Sequence, residues 1–410
     1  MRYVYSIFLV VWSATVVTAD DWPQWLGNHR NGATTETVKP WQAPLKILWK
    51  QSAREGHGGP VVTGGKTYLF CRPPGKNEEA LLAFDAESGV QIWARTYPRK
   101  ETKIAFGNGP RTSPCVVAGK VYTYGITSIL TCFDAEKGNI VWQVDTAKEY
   151  QAPGLFFGSS CSPIVLGDHV IVNVGAKGAS IVAFHKDTGK EAWKKLDDGA
   201  SYSSPIAVGT GDSQQVVFLT GKGLVSLAPK DGNVFWKHPL VDLLSESSTT
   251  PVVVGDILYA SSITTGSIGL KLDRTKPGVS KGWANGALSC YFGTPVSVGK
   301  DTLYMVTGTN PLAFKKTSAT LRGVDAGTGK ELWKRDNVGT YHASLVRTGN
   351  KKILLVEEPG DLVLIDPNRK EYRELARSKI CGNTWAHPAV ANGRLYVRDE
   401  KDLICVELPK

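Results

Sequence analysis

Apolar residues along this chain fall in short runs that alternate with turns, and the alternation is too tight for helices. Across residues 115–144 the runs are 115–117, 121–125, 130–133 and 140–144, divided by Ala118-Gly119-Lys120 and by Glu136-Lys137-Gly138-Asn139. Runs of this length, rich in β-branched and aromatic residues and bounded by glycine-bearing turns, predict strands joined as hairpins. Four such runs in succession predict one small antiparallel sheet.

The same unit then recurs. A tryptophan follows a turn glycine by four residues at Gly89 and Trp93, Gly138 and Trp142, Gly189 and Trp193, Gly232 and Trp236, and Gly329 and Trp333. A second signature, a small residue and usually a proline ahead of the first apolar run, occurs in eight copies, among them Gly59-Pro60-Val61-Val62, Ser113-Pro114-Cys115-Val116 and His387-Pro388-Ala389-Val390. Pro60 to Pro388 spans 328 residues in seven steps. A period of about 47 residues with four strands per unit predicts an all-β, eight-bladed β-propeller of four-stranded antiparallel blades. The last unit ends at 403–408 without a fourth strand, whereas 46–50 supplies a spare strand ahead of the first unit. This N-terminal strand is expected to close the last blade, which removes free sheet edges.

Two units depart from the pattern. The fifth is stretched over 273–282 before Trp283, and the seventh reads Asp366 to Tyr372 with no glycine and with tyrosine in the tryptophan position. The repeated tryptophans are read as packing between blades, because a large ring at a fixed strand position buries much apolar area.

Composition narrows the class. Hydrophobic residues at 42% and charged residues at 21% exclude a disordered chain and a multi-span membrane protein. Arg2, the apolar run 7–12 and Val17-Thr18-Ala19 predict a secretory signal over residues 1–19, with residues 20–410 as the propeller domain. The protein is therefore expected to be exported, periplasmic or secreted, with no membrane span after signal cleavage. Its formal charge of +10 is dispersed in short clusters such as Lys315-Lys316. Dispersed charge favours attraction to anionic surfaces or polymers, and it lacks the basic stripe with aromatic partners that a nucleic-acid reader needs. A monomer is expected.

The seven cysteines permit at most three disulfides. Cys132 and Cys405 align with Ala83, Ala183 and Ser226 of other units and are read as small packing residues. Cys161, Cys290 and Cys381 precede first strands, where bridges are possible in an exported protein. His57, His342 and His387 precede the first strands of units one, seven and eight, which adjoin in a closed ring. Three imidazoles near one another do not by themselves converge on a metal, so they are read as solvated or hydrogen-bonded, with no metal site.

The repeats ending in Asp-x-x-x-Gly with Trp four residues on, as in Asp85 to Trp93 and Asp134 to Trp142, resemble the blades of the pyrroloquinoline-quinone (PQQ) family of eight-bladed propellers. Trp22-Pro23-Gln24-Trp25-Leu26-Gly27 with Gly32 resembles the opening of its exported bacterial members. The resemblance covers about residues 22–408. It implies either a quinoprotein dehydrogenase or a non-catalytic member such as the propeller lipoprotein of the outer-membrane assembly machinery. The dehydrogenases hold PQQ over Ca²⁺ with Glu, Asn and Asp oxygens and an Asp base, often beneath a disulfide of adjacent cysteines. Here no two cysteines are adjacent. Thr307-Gly308-Thr309-Asn310-Pro311 is similar to the family's Asn-Pro ligand segment, which makes Asn310 the carry-over, but residues 337–342 lack the expected carboxylate.

The loops entering the first strands carry Glu55, His57, Asn108, Arg111, Phe157, Tyr202, Tyr291, Tyr341, His342, Trp385 and His387. With Asn310 these are the candidate binding residues of one face, since a rigid ring lowers the ordering cost of binding by its loops. The expected function is a non-catalytic binding or assembly scaffold that engages a protein or an anionic envelope polymer. The alternative is a small PQQ- and Ca²⁺-dependent oxidoreductase acting on alcohols or sugars.

Overall fold

The computed structural model describes residues 21–410, and the signal expected over residues 1–19 lies outside the described residues. Eight four-stranded antiparallel sheets are arranged around one axis. In the second blade the strands are Cys115–Val117, Lys120–Tyr124, Ile129–Asp134 and Ile140–Asp145, within one residue of the hydrophobic runs. The first strand of each blade lies innermost. First strands of neighbouring blades touch around the ring, as Val61–Thr63 does with Cys115–Val117 and with Ala389–Ala391.

Closure follows the expected route. Ile47–Ser52 pairs with Asp402–Glu407, placing Lys50 opposite Ile404 and Ser52 opposite Asp402, so a strand from the start of the chain is the outer strand of the last blade.

The repeated glycine and tryptophan have one physical cause. Trp93, Trp142, Trp193 and Trp283 lie less than a tenth exposed, and each is covered by the turn glycine of the next blade. Gly138 adopts φ +74°, and a Cβ there would fall 2.6 Å from the Trp93 ring. Most of the indoles also donate to that same neighbour: Trp142 Nε1 to Lys186 O at 2.9 Å, Trp283 to Ala326 O at 2.8 Å and Trp333 to Asn368 O at 2.8 Å. Each ring thus ties blade to blade, at a cost of about 3–5 kcal/mol if removed.

Opposite each tryptophan the neighbouring strand carries a small residue: Ala83, Cys132, Ala183, Ser226, Gly269, Gly323 or Cys405. The seventh blade corrects the sequence reading. Tyr372 does not replace the tryptophan; Ala376 occupies that position, opposite Leu364. The larger partner now lies on the third strand and the smaller on the fourth, the reverse of the other blades. Tyr372 leans instead on Trp333 of the sixth blade, with ring centroids 6.1 Å apart.

All seven cysteines are buried and unpaired, so the bridges left open for Cys161, Cys290 and Cys381 are not formed. Among the described residues no helix is long and apolar enough to cross a membrane.

Candidate functional site

An even number of antiparallel strands returns the chain to the face it left, so all eight connections between blades open on one face of the ring, with the links between second and third strands beside them. On this face a funnel with a cavity of about 110 Å³ runs down the axis. Its wall is aromatic. Phe106 meets Phe157 at 6.0 Å and Trp385 at 5.3 Å, Phe157 meets Tyr202 at 5.5 Å, and Phe292 meets Trp385 at 5.6 Å between ring centroids. Tyr341 joins at the rim, 5.8 Å from Trp385 and 6.5 Å from Tyr291.

The inner end is closed by the chain's own N-terminal segment. Trp22 pairs with Val62 of the first blade, Pro23 O accepts from Val116 N of the second, and Thr34 N donates to Arg347 O of the seventh, so this segment crosses the channel. Buried Arg30 anchors it, donating to Ser162 O and Pro163 O at 3.0 Å each. Trp25 lines the funnel, donates Nε1 to Thr250 Oγ1 at 2.9 Å and packs edge-on against His387 at 4.7 Å.

Charge in the funnel is sparse. Arg111 donates to Phe157 O at 2.8 Å and Ala105 O at 2.7 Å, and burial pulls its guanidinium down to about 10, still charged at neutral pH. His57 bonds Phe106 O at 2.7 Å, and burial lowers it to about 4. His342 is lowered by burial to about 3 and bonds Ser344 Oγ at 2.8 Å, while His387, 5.3 Å away, is pushed well below its ordinary value by burial and by His342. The imidazoles are thus neutral near pH 7.

Three carboxylates beside the funnel are committed to the rim. Glu55 is ion-paired with Arg72. Glu246, raised by burial, accepts from Tyr291 Oη at 2.7 Å. Glu358 accepts from the backbone N–H groups of Thr340, Tyr341 and His342 at 2.6, 2.7 and 3.3 Å, and from Trp385 Nε1 at 2.9 Å.

Of the candidate residues, His57, Arg111, Phe157, Tyr202, Trp385 and His387 line the funnel, and Tyr291, Tyr341 and His342 support its rim. Glu55 ties its connection to Arg72 on the second-to-third-strand link of the first blade, and Asn108 serves its own loop, its Oδ1 accepting from Ile104 N at 2.8 Å. Asn310 lies further out, where its Oδ1 caps the turn at Leu312 N at 2.9 Å. Sequence reasoning missed Glu358, which lies on a second-to-third-strand link; the eighth blade's link also carries acids, Asp399 and Glu400, but the first to sixth carry none, so no eightfold period marked it. It also missed Trp25, whose signal was an aromatic, glycine-punctuated segment belonging to no blade.

The residues do not fit a Ca²⁺ site. Asn310 spends its oxygen on the backbone, Glu358 spends both of its oxygens on four N–H donors, and among the described residues no three His, Cys, Asp or Glu side chains are grouped to hold a metal.

Fold and site together define a PQQ-type propeller with an aromatic mouth and a self-plugged channel. The chain belongs to the family described as outer membrane protein assembly factor BamB, whose profile matches residues 77–318 and 317–407. It is similar to outer membrane protein assembly factor BamB of Shewanella oneidensis, 24% identical over 253 residues, 55% of this chain and 58% of that protein. It is also similar to quinoprotein ethanol dehydrogenase of Pseudomonas aeruginosa, 26% identical over 323 residues, 72% of this chain and 48% of that protein. The match thus spans about half the length of these two relatives. The solved quinohemoprotein alcohol dehydrogenase from Comamonas testosteroni shares the fold, with a TM-score of 0.69 over 97% of this chain and 82% of that one at 14% identity.

Proposed function

We propose that this protein is an exported, periplasmic, non-catalytic scaffold that holds a protein partner in the mouth of its ring during assembly of the outer membrane. One observation carries this reading: the funnel's own lining holds one cation, Arg111, and no carboxylate, and Glu358 beside it is bound into the rim by four N–H donors, which leaves a rigid aromatic wall with no assembled acid–base set. Family membership supports it.

The test is a photoreactive side chain placed at Tyr341 in cells. A discrete cross-linked envelope protein is expected, and Arg111→Ala or Trp385→Ala should weaken it. Cross-linking only to an anionic polymer, or to nothing, overturns the reading.

The similarity to quinoprotein ethanol dehydrogenase supports a second reading, a PQQ-dependent oxidoreductase. Adding PQQ and Ca²⁺ to the purified protein separates the two. The scaffold leaves the quinone spectrum flat, whereas an absorbance shift with dye reduction by alcohols or sugars replaces it.

A further inference from the structure

On the same face, outside the funnel, lies an apolar ridge that the scaffold reading does not use. The connection between the fourth and fifth blades turns Leu243 and Leu244 outward, and the second-to-third-strand link of the sixth blade does the same with Leu312 and Phe314. Leu243 is 73% exposed and Phe314 97%. The two loops are laced through a third: Leu243 N donates to Thr264 Oγ1 at 2.9 Å, Thr265 Oγ1 to Val241 O at 2.6 Å, and Asn310 Nδ2 to Thr264 O at 3.3 Å. The four side chains therefore belong to one surface.

Charge on this ridge is one-sided. Of the two acids on the fourth-to-fifth connection, Asp242 is turned inward, accepting from Ser262 Oγ at 2.7 Å, Leu244 N at 2.9 Å and Ile263 N at 3.2 Å, and half-buried Glu246 accepts from Tyr291 Oη at 2.7 Å on the side of the funnel. Lys315 and Lys316 follow Phe314 directly and are exposed. The outward surface is thus apolar, bordered by two lysines, with both carboxylates of the neighbouring connection engaged by the protein's own donors.

Shape decides between partners. Phe314 stands clear of its own protein, so the ridge is convex and offers a folded partner no groove. Acyl chains receive any convex apolar tip, and lysines beside it reach headgroup phosphates. We propose that this ridge docks the rim of the ring onto an anionic lipid surface, with Leu243 and Phe314 entering the acyl boundary and Lys315 and Lys316 facing the phosphates. Docking of this kind turns the mouth toward the membrane.

The test is sedimentation of the purified exported chain with vesicles of phosphatidylethanolamine and phosphatidylglycerol, against vesicles of phosphatidylcholine alone. Binding to the anionic vesicles is expected, and it should weaken as salt is raised. The double variant L243E/F314E should lower affinity roughly tenfold or more. K315E/K316E should lower it on anionic vesicles only. All four positions are exposed, so unfolding curves should match the parent protein. A polarity-sensitive dye on Phe314→Cys should report transfer to an apolar medium when vesicles are added. Absence of vesicle binding, parental binding by L243E/F314E, or an unchanged dye signal overturns the proposal. If the ridge variants instead abolish the Tyr341 cross-link while vesicles are ignored, the ridge is part of the protein interface and only the lipid assignment falls. Vesicle binding without any cross-linked partner sinks the scaffold reading alone.

Discussion

Glu358 accepts a hydrogen bond from the indole N–H of Trp385 at 2.9 Å, and through this bond the link within the seventh blade fixes a ring of the funnel wall that enters from the connection to the eighth. The same carboxylate gathers three backbone N–H groups of residues 340–342, so Tyr341 and Trp385 are held by one side chain. Glu358→Ala is expected to leave these donors without their acceptor and to cost about 1–3 kcal/mol of stability, measured by denaturant unfolding. Limited proteolysis should then cut sooner in connections 340–342 and 380–388. Parental stability and parental cleavage would show that Glu358 does not organise the rim.

The packing of turn glycines on neighbouring tryptophans yields a matched pair of variants. Gly138 and Gly119 both adopt φ +74°, but a Cβ at Gly138 would meet Trp93 at 2.6 Å, whereas at Gly119 nothing lies within 4 Å. Gly119→Ala is expected to cost about 1 kcal/mol, the conformational term alone. Gly138→Ala must also displace an indole locked between two blades and should cost roughly 3 kcal/mol or more. Equal losses in thermal or denaturant unfolding would mean that the contact does not set the glycine requirement.

The contrast between these glycines also explains how much was legible in the sequence. Trp93, Trp142 and their successors repeat because every blade solves the same packing problem against its neighbour, so periodicity alone gave blade number, strand order and ring closure. Residues that act once leave no period. Glu358 is matched by acids only in the eighth blade's link, where Asp399 accepts from Gly382 N, and Trp25 belongs to a segment that crosses the channel outside any blade. The seventh blade shows the same limit from within: Tyr372 resembled the missing tryptophan in sequence, but the exchange of Ala376 and Leu364 is visible only once the strands are in register.

Acid should destabilise the protein through the imidazoles at its mouth, His342 and His387 buried and His57 half-buried. Burial lowers His57 to about 4 and His342 to about 3, and His387 shifts in the same direction, whereas an unfolded histidine titrates near 6.5. Between those values the unfolded chain binds protons that the folded chain refuses, so stability is greatest above pH 6.5 and falls as pH drops toward 4. Each such histidine contributes a slope of about 1.4 kcal/mol per pH unit at most. Glu79 acts in the opposite sense, because burial raises its carboxyl and the folded state keeps that proton, so it offsets part of the loss above the ordinary carboxylate range. Unfolding measured from pH 7 to pH 4 should show the decline, and His387→Asn should flatten it. A pH-independent stability would contradict neutral histidines at the mouth.

The thiols give the last test, one that an exported protein makes stringent. All seven are buried, and burial pushes Cys71, Cys115 and Cys161 up to about 11 and Cys132, Cys290, Cys381 and Cys405 up to about 12, so little thiolate exists at neutral pH. Cys132 and Cys405 face Trp142 and Trp49 across their sheets, in the slot that the other tryptophan-bearing blades fill with alanine, serine or glycine. They are retained there as small apolar groups, and Cys132→Ala should be almost neutral in stability. A thiol reagent added to the native protein is expected to modify none of the seven within minutes. All seven should react once the chain is unfolded without reductant, because none is tied in a disulfide. Fewer than seven thiols after unfolding would reveal a bridge, and rapid labelling of the folded protein would reveal a blade that opens.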